Sequence, residues 1–466
     1  MGAILAALGG SPPPNKAFIE ALLDCNYDRW VHETAWQGIS RLPPSHCLTA
    51  SSARVLLSRY WTFGAQGEVR FKSDADYEDR FRELFEEAVR ARLRSVGPVG
   101  ILVSGGLDSS SVACVADRLI ASECPATPGR IYSCVFDRTP GADEKGYGKA
   151  VAEKCRHLKT TLIPADDCWA LREFAGDEGY PLDEPEIGVS RSLLLKPLRA
   201  AYGDGCRVIL GGNGGDQVLG GEPYHTPAIL RDVGLGRLLS EIRHFRRYSR
   251  CSVARLLTQA YLAPLIPKRL CKWMARRGRD ETRPFRTPAA PAPLNFLPPP
   301  RLNSQSSMIS YAQLTQGLYS ARMVSLDTLA GYAGIEWRFP FLDRRLIDFM
   351  FAVPPRLRFR DGLIKYVLRR AMAGILPDAV RRRTDFAHFT ELEMRGLREK
   401  ERGRILELLK DARLVRAGYA DAGRLLSAWD SFWQDSGTSG PNCHLVAGLC
   451  VEAWLRKNAG DRKYLT

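Results

Sequence analysis

The chain has 466 residues, with 67 Lys and Arg against 52 Asp and Glu, and so a formal net charge of +15. Apolar residues make up 45% and charged residues 26%, ordinary globular proportions that exclude a disordered, collagenous or disulfide-stapled chain. No unbroken apolar stretch approaches the roughly 20 residues of a membrane helix, and at roughly 100–200 residues per domain two to four structural units are expected. The opening MGAILAALGG is apolar but short, lacks a basic leader and runs into Pro12-Pro13-Pro14, which argues against a signal peptide and for a cytoplasmic chain. Residues 1–62 alternate turns with short β-branched runs and read as a small sheet-bearing piece. From Ser73 to Ser95 the charge density rises while Phe81, Leu84, Phe85 and Ala88 recur at helical spacing, which predicts an amphipathic helix. Apolar strands then alternate with helical patterns: VGILVSG, SSVACVADRLIA, RIYSCVFD, KAVAEKC, TTLIPA, RSLLLKPLRAAY and CRVILGG. That alternation predicts an α/β fold with a doubly wound, mainly parallel sheet. After Tyr224 the pattern is helical to the C-terminus, broken from Arg276 to Gln305 by a Pro-, Arg- and Ala-rich stretch expected to be a surface loop or mobile segment.

The twelve cysteines are scattered, and no two are three apart, so a C-x-x-C zinc knuckle or redox pair is absent; most are expected to be small buried hydrophobes. The seven histidines show no metal spacing, and His388 is expected to be structural. The basic surplus fits nucleic acid, a polyphosphate or an acidic peptide as well as a solvated face, and does not decide between them.

Two glycine clusters carry the chemistry. In Ile101-Leu102-Val103-Ser104-Gly105-Gly106-Leu107-Asp108-Ser109-Ser110 an apolar strand passes through Ser-Gly-Gly into a helix. Glycines admit a close backbone approach to a ligand, and the helix N-terminus offers N–H groups suited to phosphate. Asp108 would repel a bare phosphate, so it makes sense with a cation such as Mg²⁺ between them. No G-K-[ST] follows, which excludes a Walker loop. About 100 residues on, Val208-Ile209-Leu210-Gly211-Gly212-Asn213-Gly214-Gly215-Asp216 repeats the pattern. Both loops would lie beyond the carboxyl ends of strands, where doubly wound sheets bind ligands, and two aspartates there can hold Mg²⁺ on a polyphosphate.

SGGLDSS, GGNGGDQVLGG, Glu336-Trp337-Arg338-Phe339-Pro340-Phe341-Leu342-Asp343 and Gly362-Leu363-Ile364-Lys365-Tyr366-Val367-Leu368-Arg369 together resemble the synthetase domain of asparagine synthetases, one of the PP-loop ATP pyrophosphatases with an adenine nucleotide alpha hydrolase-like fold. The resemblance runs in order over about residues 70–395. The stretch from Gly38 to His46 and on to Tyr60-Trp61 resembles the tail of that family's glutaminase domain. It implies a remnant of that domain over 1–65 and an amide ligase domain over 70–466. It also implies cleavage of ATP between its α and β phosphates to give an acyl-adenylate and pyrophosphate, followed by attack of an amine. Residue by residue, Leu102 and Val135 fall where the family's backbone reads adenine, and Gly211 and Gly212 near ribose and phosphate. Ser104, Gly105, Gly106, Leu107 and Ser109 would hold pyrophosphate, with Asp108 and Asp216 on Mg²⁺. Lys365 matches the lysine that neutralises charge building on the α-phosphate, and fixed positive charge there is typically the largest catalytic term.

Three departures from the family's pattern narrow the expectation. Its glutaminase needs Cys at the second position, where this chain has Gly2, so glutamine hydrolysis is lost or the chain is a fragment begun at an internal Met. Asn213 stands where asparagine synthetases carry a glutamate associated with amine attack, and an amide cannot accept a proton as a carboxylate does. The expected R-x-K reads Arg383-Thr384-Asp385. These changes suit a relative that joins a carboxylate to an amine of the same molecule. The expectation is therefore a lasso peptide macrolactam cyclase acting on a precursor peptide, alongside a leader-binding protein and a protease, with no membrane or nucleic-acid partner. The runner-up is an asparagine synthetase using aspartate with ammonia or glutamine. A PP-loop tRNA-modifying enzyme would suit the basic charge but lacks C-x-x-C, and a dead partner subunit would not keep both aspartates and Lys365. Asp143-Glu144 and Asp183-Glu184-Pro185-Glu186 could line an acceptor pocket or cap helices. The Glu336–Asp343 block reads as an interior ion-pair and turn element.

Overall fold

The computed structural model describes residues 12–63, 69–123, 127–169, 183–185, 191–220, 304–385, 389–434 and 443–458, with isolated positions between them. Helix α1 (Lys16–Leu23) is started by Asn15, whose side-chain oxygen accepts from the Phe18 N–H at 3.2 Å. An antiparallel hairpin follows, β1 (His46–Ala50) and β2 (Val55–Arg59), paired from His46–Arg59 to Ala50–Val55, with Leu48, Val55, Leu56 and Leu57 exposed. The predicted amphipathic helix is α2 (Asp74–Arg92). Ser73 and Asp76 close a capping box, and Tyr77, Phe81, Leu84, Phe85, Ala88 and Val89 form its buried stripe.

Strands β3 (Val99–Leu102), β4 (Gly129–Val135), β5 (Leu158–Pro164), β6 (Val208–Leu210) and β7 (Glu336–Arg338) make one parallel sheet in the order β5-β4-β3-β6-β7. The fold is therefore α/β, as the strand–helix alternation predicts. Helices α3 (Leu107–Glu123), α4 (Lys145–Lys154), α5 (Arg191–Gly203), α6 (Gly215–Leu219), α7 (Gln305–Thr315) and α8 (Gly317–Tyr332) lie between and after the strands. Side chains alternate across the sheet: Val208, Leu210 and Ile131 enter one core with α2 and α3, whereas Ile209 and Tyr132 enter the other with α5 and α8. After α9 (Arg344–Ala352) and α10 (Tyr366–Ala371), helices α11 (Ala422–Gln434) and α12 (Cys443–Asn458) supply Trp429 and Trp454 to the second core, which also takes in α1, Trp30 and Trp36. Among the described residues, no helix is long and apolar enough to cross a membrane.

One expectation needs correction. The chain after Tyr224 is not wholly helical, because it contributes β7 and an antiparallel pair, β8 (Phe359–Arg360) with β9 (Leu363–Ile364). Strands of two or three residues are too short to display a period of two. The Arg276–Gln305 stretch lies, apart from Phe285, Leu302, Ser304 and Gln305, outside the described residues, as do Gly2, Glu186 and His388. Of the nine cysteines described, Cys114, Cys155, Cys168, Cys206 and Cys450 are buried, while Cys47 and Cys443 are exposed.

Candidate active site

The chain builds outward from β3 to β5, crosses back to β6 beside β3, and builds the other way to β7. The connections after β3 and β6 thus part at a topological switch point, where open α/β sheets form a ligand crevice. Both glycine clusters sit there. After β3, Gly105 has φ +89°, and a Cβ on it would sit 2.9 Å from Tyr147 Cβ and 3.1 Å from the Glu144 carbonyl oxygen. Only glycine fits. Hydroxyls tie the turn: the Gly106 N–H donates to Ser104 Oγ and the Ser104 N–H to Ser109 Oγ, both at 3.2 Å. Across the crevice a Cβ on Gly212 would lie 2.6 Å from Ser109 N, and one on Gly215 would run into the Asp108 carboxylate. The second loop is pressed against the first turn of α3.

The third element arrives from far along the chain. Asp343 caps α9 (Arg344–Ala352) by accepting from the Arg345 N–H at 3.0 Å. The β8–β9 hairpin then turns through Asp361 and Gly362, with φ +54° and +76°, positive at both centres as tight hairpins prefer. Lys365 follows with φ +56° and ψ +38°, just before α10 (Tyr366–Ala371). A non-glycine residue in this region persists when its surroundings over-determine it. Here they do: Lys365 Nζ lies 2.6 Å from Asp108 Oδ2 and 2.6 Å from Asp216 Oδ1. Lys365 is only 5% exposed. Its burial favours the neutral amine, but the two carboxylates outweigh this and hold its pKa above the ordinary lysine value. Burial pushes Asp108 up to about 6; Lys365 opposes that rise and Asp216 adds to it.

The other oxygen of Asp108, Oδ1, is buried without a hydrogen-bond partner. Beside it stands a second carboxylate, Asp216. An unsatisfied carboxylate oxygen next to another carboxylate is the donor chemistry a hard divalent cation takes, so the residues present fit Mg²⁺. Around the first loop runs a basic support. Arg383 donates to the Gly105 carbonyl at 2.9 Å and to Glu144 Oε1 at 2.5 Å, and its guanidinium stacks 4.0 Å over the Tyr147 ring. Arg369 donates to the carbonyls of Arg381 (2.6 Å) and Arg383 (2.9 Å) and so fixes that strap. Burial depresses the Arg369 guanidinium to about 10, with Asp108 pulling the other way. Asp385, standing at the lysine slot of R-x-K, accepts from Tyr147 OH at 3.0 Å.

Of the sequence candidates, Asp108, Asp216 and Lys365 meet directly. Ser104, Gly105, Gly106, Leu107 and Ser109 form the adjoining turn, and Gly211 and Gly212 open the facing loop. Leu102 and Val135 end the neighbouring strands β3 and β4. Leu107 and Val135 are buried, and the Val135 carbonyl accepts from the Ala165 N–H at 3.0 Å. The acidic pairs divide: Glu144 joins Arg383, and Asp143 accepts from the backbone N–H groups of Phe136 and Lys145. Glu184 pairs with Arg41 and accepts from the Ala35 N–H, while the Asp183 carbonyl accepts from the indoles of Trp36 and Trp454. In the Glu336–Asp343 block, Glu336 pairs with Arg338 and Asp343 with Arg92 and Arg345. Sequence reasoning missed the Arg383–Glu144–Tyr147 support. Its only signal is that Glu144 and Tyr147 are three apart at the start of one helix, on one face of it.

The asparagine synthase family model matches residues 80–456. The chain is 25% identical over 357 residues to an asparagine synthetase [glutamine-hydrolyzing] 3 of Bacillus subtilis, covering 74% of this chain and 53% of that protein. It is 24% identical over 400 residues to the amidase chyE of Penicillium rubens (74% and 58%) and 29% over 228 residues to the amidase chry2 of Gibberella zeae (43% and 33%). The chain spans about half the length of the curated relatives it matches. Among solved structures, the U34-tRNA thiolase NcsA from Methanococcus maripaludis with its [4Fe-4S] cluster aligns at a TM-score of 0.23 and 13% identity, over 56% of this chain and 81% of that one.

Proposed function

Since this chain belongs to the asparagine synthase family, we propose that it is an ATP-dependent, AMP-forming amide ligase that activates a carboxylate as an acyl-adenylate. The observation that carries the reading is the Lys365 ammonium held 2.6 Å from carboxylates of both glycine loops at the switch point. In the proposed reaction a substrate carboxylate oxygen attacks the α-phosphorus of ATP, the bond to the bridging α–β oxygen breaks, and pyrophosphate leaves. The backbone at Leu102 and Val135 is assigned to adenine, and Gly211 and Gly212 to ribose and phosphate. The turn from Ser104 to Ser109 is assigned to the pyrophosphate, with the N–H groups that open α3 as its donors. Asp108 and Asp216 would hold Mg²⁺, which offsets polyphosphate charge when bound. Lys365 is assigned to the charge that develops on the α-phosphate. An amine then attacks the acyl carbon and AMP departs, its proton passing to solvent or substrate, because Asn213 offers no basic oxygen.

The same departures support a tethered amine. With Asn213 and Asp385 in place of a carboxylate and a lysine, attack relies on an amine already held against the adenylate. Carrying both groups on one molecule contributes several kcal/mol, roughly, through proximity. A peptide with a free α-amine and an Asp or Glu side chain satisfies this, which makes the proposed product a macrolactam and the proposed companions a leader-binding protein and a protease. The relatives that bear the name asparagine synthetase favour a second reading, in which free aspartate is the carboxylate and ammonia or glutamine supplies nitrogen. Protein is incubated with ATP and Mg²⁺ plus either aspartate with ammonia, aspartate with glutamine, or a leader-cleaved peptide. Loss of one water from the peptide with AMP formed supports the cyclase; asparagine from free aspartate replaces it with the second reading.

A further inference from the structure

A second cluster of reactive side chains lies apart from the crevice, where the N-terminal segment meets the last helix. Helix α1 ends at Leu23, and the chain turns at Cys25, whose φ of +53° is left-handed for a residue with a side chain. The turn brings Cys25 to the first residues of α12, Cys443 and His444. Cys25 Sγ lies 3.6 Å from His444 Nδ1, across a sequence separation of 419 residues. One ligand atom from each of Cys25, Cys443 and His444 lies within 4.8 Å of the other two.

We propose that Cys25, Cys443 and His444 form a binding site for one zinc ion that fastens the N-terminal segment to the C-terminal helix. Zinc–sulfur bonds near 2.3 Å and zinc–nitrogen bonds of about 2.0–2.1 Å at a tetrahedral angle put ligand atoms roughly 3.5 Å (S···N) and 3.8 Å (S···S) apart. The Cys25–His444 separation matches the first of these edges. Two sulfurs and an imidazole suit zinc, whereas Mg²⁺ and Ca²⁺ take oxygen. Cys443 is exposed and Cys25 and His444 are half-buried, so the ion has a path from solvent. Binding releases two thiol protons, and the two thiolates then balance the charge of the ion. His444 Nδ1 also lies 2.8 Å from the Leu23 carbonyl oxygen. Zinc on Nδ1 uses that nitrogen's lone pair, so the ring proton sits on Nε2 and the contact with the carbonyl opens on binding. The packing explains what a staple there secures: Phe18 and Leu22 of α1, with Trp30 and Trp36, share one core with Trp429 and Trp454.

The proposal is independent of the ligase reading, and its test needs no turnover. The 466-residue chain, reduced and chelator-treated, is titrated with Zn²⁺ by calorimetry and with Co²⁺ by visible absorption. Cys25→Ser, Cys443→Ser and His444→Gln variants are run in parallel. One equivalent of zinc is expected, bound about 10²-fold more weakly or worse by each variant, since even partners that merely orient a ligand cost 10–100-fold. The Co²⁺ adduct should show thiolate-to-metal charge transfer and tetrahedral d–d bands that each variant loses. Zinc should raise the melting temperature of the parent protein alone. Should a variant fail to fold, X-ray absorption on the zinc-loaded parent decides, two sulfurs and at least one imidazole being expected. Parent and variants binding zinc equally, an all-oxygen shell, or a Cys25–Cys443 disulfide formed with no zinc affinity would each overturn the proposal.

Discussion

Replacing Lys365 with methionine keeps the side chain to within one atom of its length and removes its charge. In the free protein this strands Asp108 beside Asp216 without the ammonium 2.6 Å from each. Breaking a buried ion pair from one side costs about 3–5 kcal/mol. Two features of the site hold the loss near the lower bound. Asp216 is 41% exposed and can turn to water. Asp108, already pushed up to about 6 by burial with Lys365 opposing, rises further and takes a proton at neutral pH, each pKa unit being worth about 1.4 kcal/mol. A stability loss of about 3 kcal/mol is therefore expected, read as a lower urea midpoint at unchanged slope. Adding Asp108→Asn should recover part of it, because the neutral amide does not have to take up a proton to fold; the non-additivity is the coupling of the pair.

The catalytic effect is separable from that loss. Removing one preorganised group that stabilises transition-state charge lowers kcat by about 10²–10³-fold, or about 2.7–4 kcal/mol. Pyrophosphate release and AMP formation, measured on folded Lys365→Met across a range of ATP concentrations, should show this fall in kcat with KM for ATP changed only a few-fold. A raised KM at parental kcat would make Lys365 a ground-state binder and refute its assignment to the transition state.

Asp108→Asn and Asp216→Asn should each abolish Mg²⁺-dependent pyrophosphate release while the circular dichroism spectrum stays parental; near-normal release by either would end the metal assignment. Gly212→Ala should drive the two glycine loops apart, because its Cβ would lie 2.6 Å from Ser109 N. A loss of about 1–3 kcal/mol in stability and most ATP affinity by calorimetry is expected, and parental binding would show that the loops need not touch. Burial pushes the Asp343 carboxyl up, but Arg345 and Arg92 outweigh it and hold it at about 2. That lies below an unfolded value near 3.9, so its contribution is present above about pH 5 and lost as pH falls toward 2. Asp343→Asn keeps a helix-capping oxygen and should cost about 1–2 kcal/mol at pH 7, a figure reduced for the half-exposed Arg345, with the gap closing toward pH 2. A gap in urea midpoint that ignores pH would contradict this.

What could be read without coordinates was whatever is written in consecutive residues. Strand-then-glycine stretches such as Val99–Gly106 and Val208–Gly215 carry their own signature, because the backbone conformation they need is one few residues adopt. The stripe from Tyr77 to Val89 shows its period over three turns. Contacts between separated segments leave no such mark. Nothing around Lys365 announces that its ammonium sits between two carboxylates from loops more than 140 residues upstream, or that Arg383 braces the Gly105 carbonyl. Searching for cysteines three apart likewise passes over Cys25 and Cys443, which meet only because α1 and α12 share a core. The three segments at the crevice are nonetheless interdependent. Asp108 needs Gly215 beside it to leave room for its carboxylate, and Gly212 to let the loops close. Lys365 needs the left-handed turn after β9 to enter from the third side. A substitution in any one loop is therefore expected to act on the other two, which is why the ammonium–carboxylate cluster, and no single motif, is the unit on which the proposed chemistry rests.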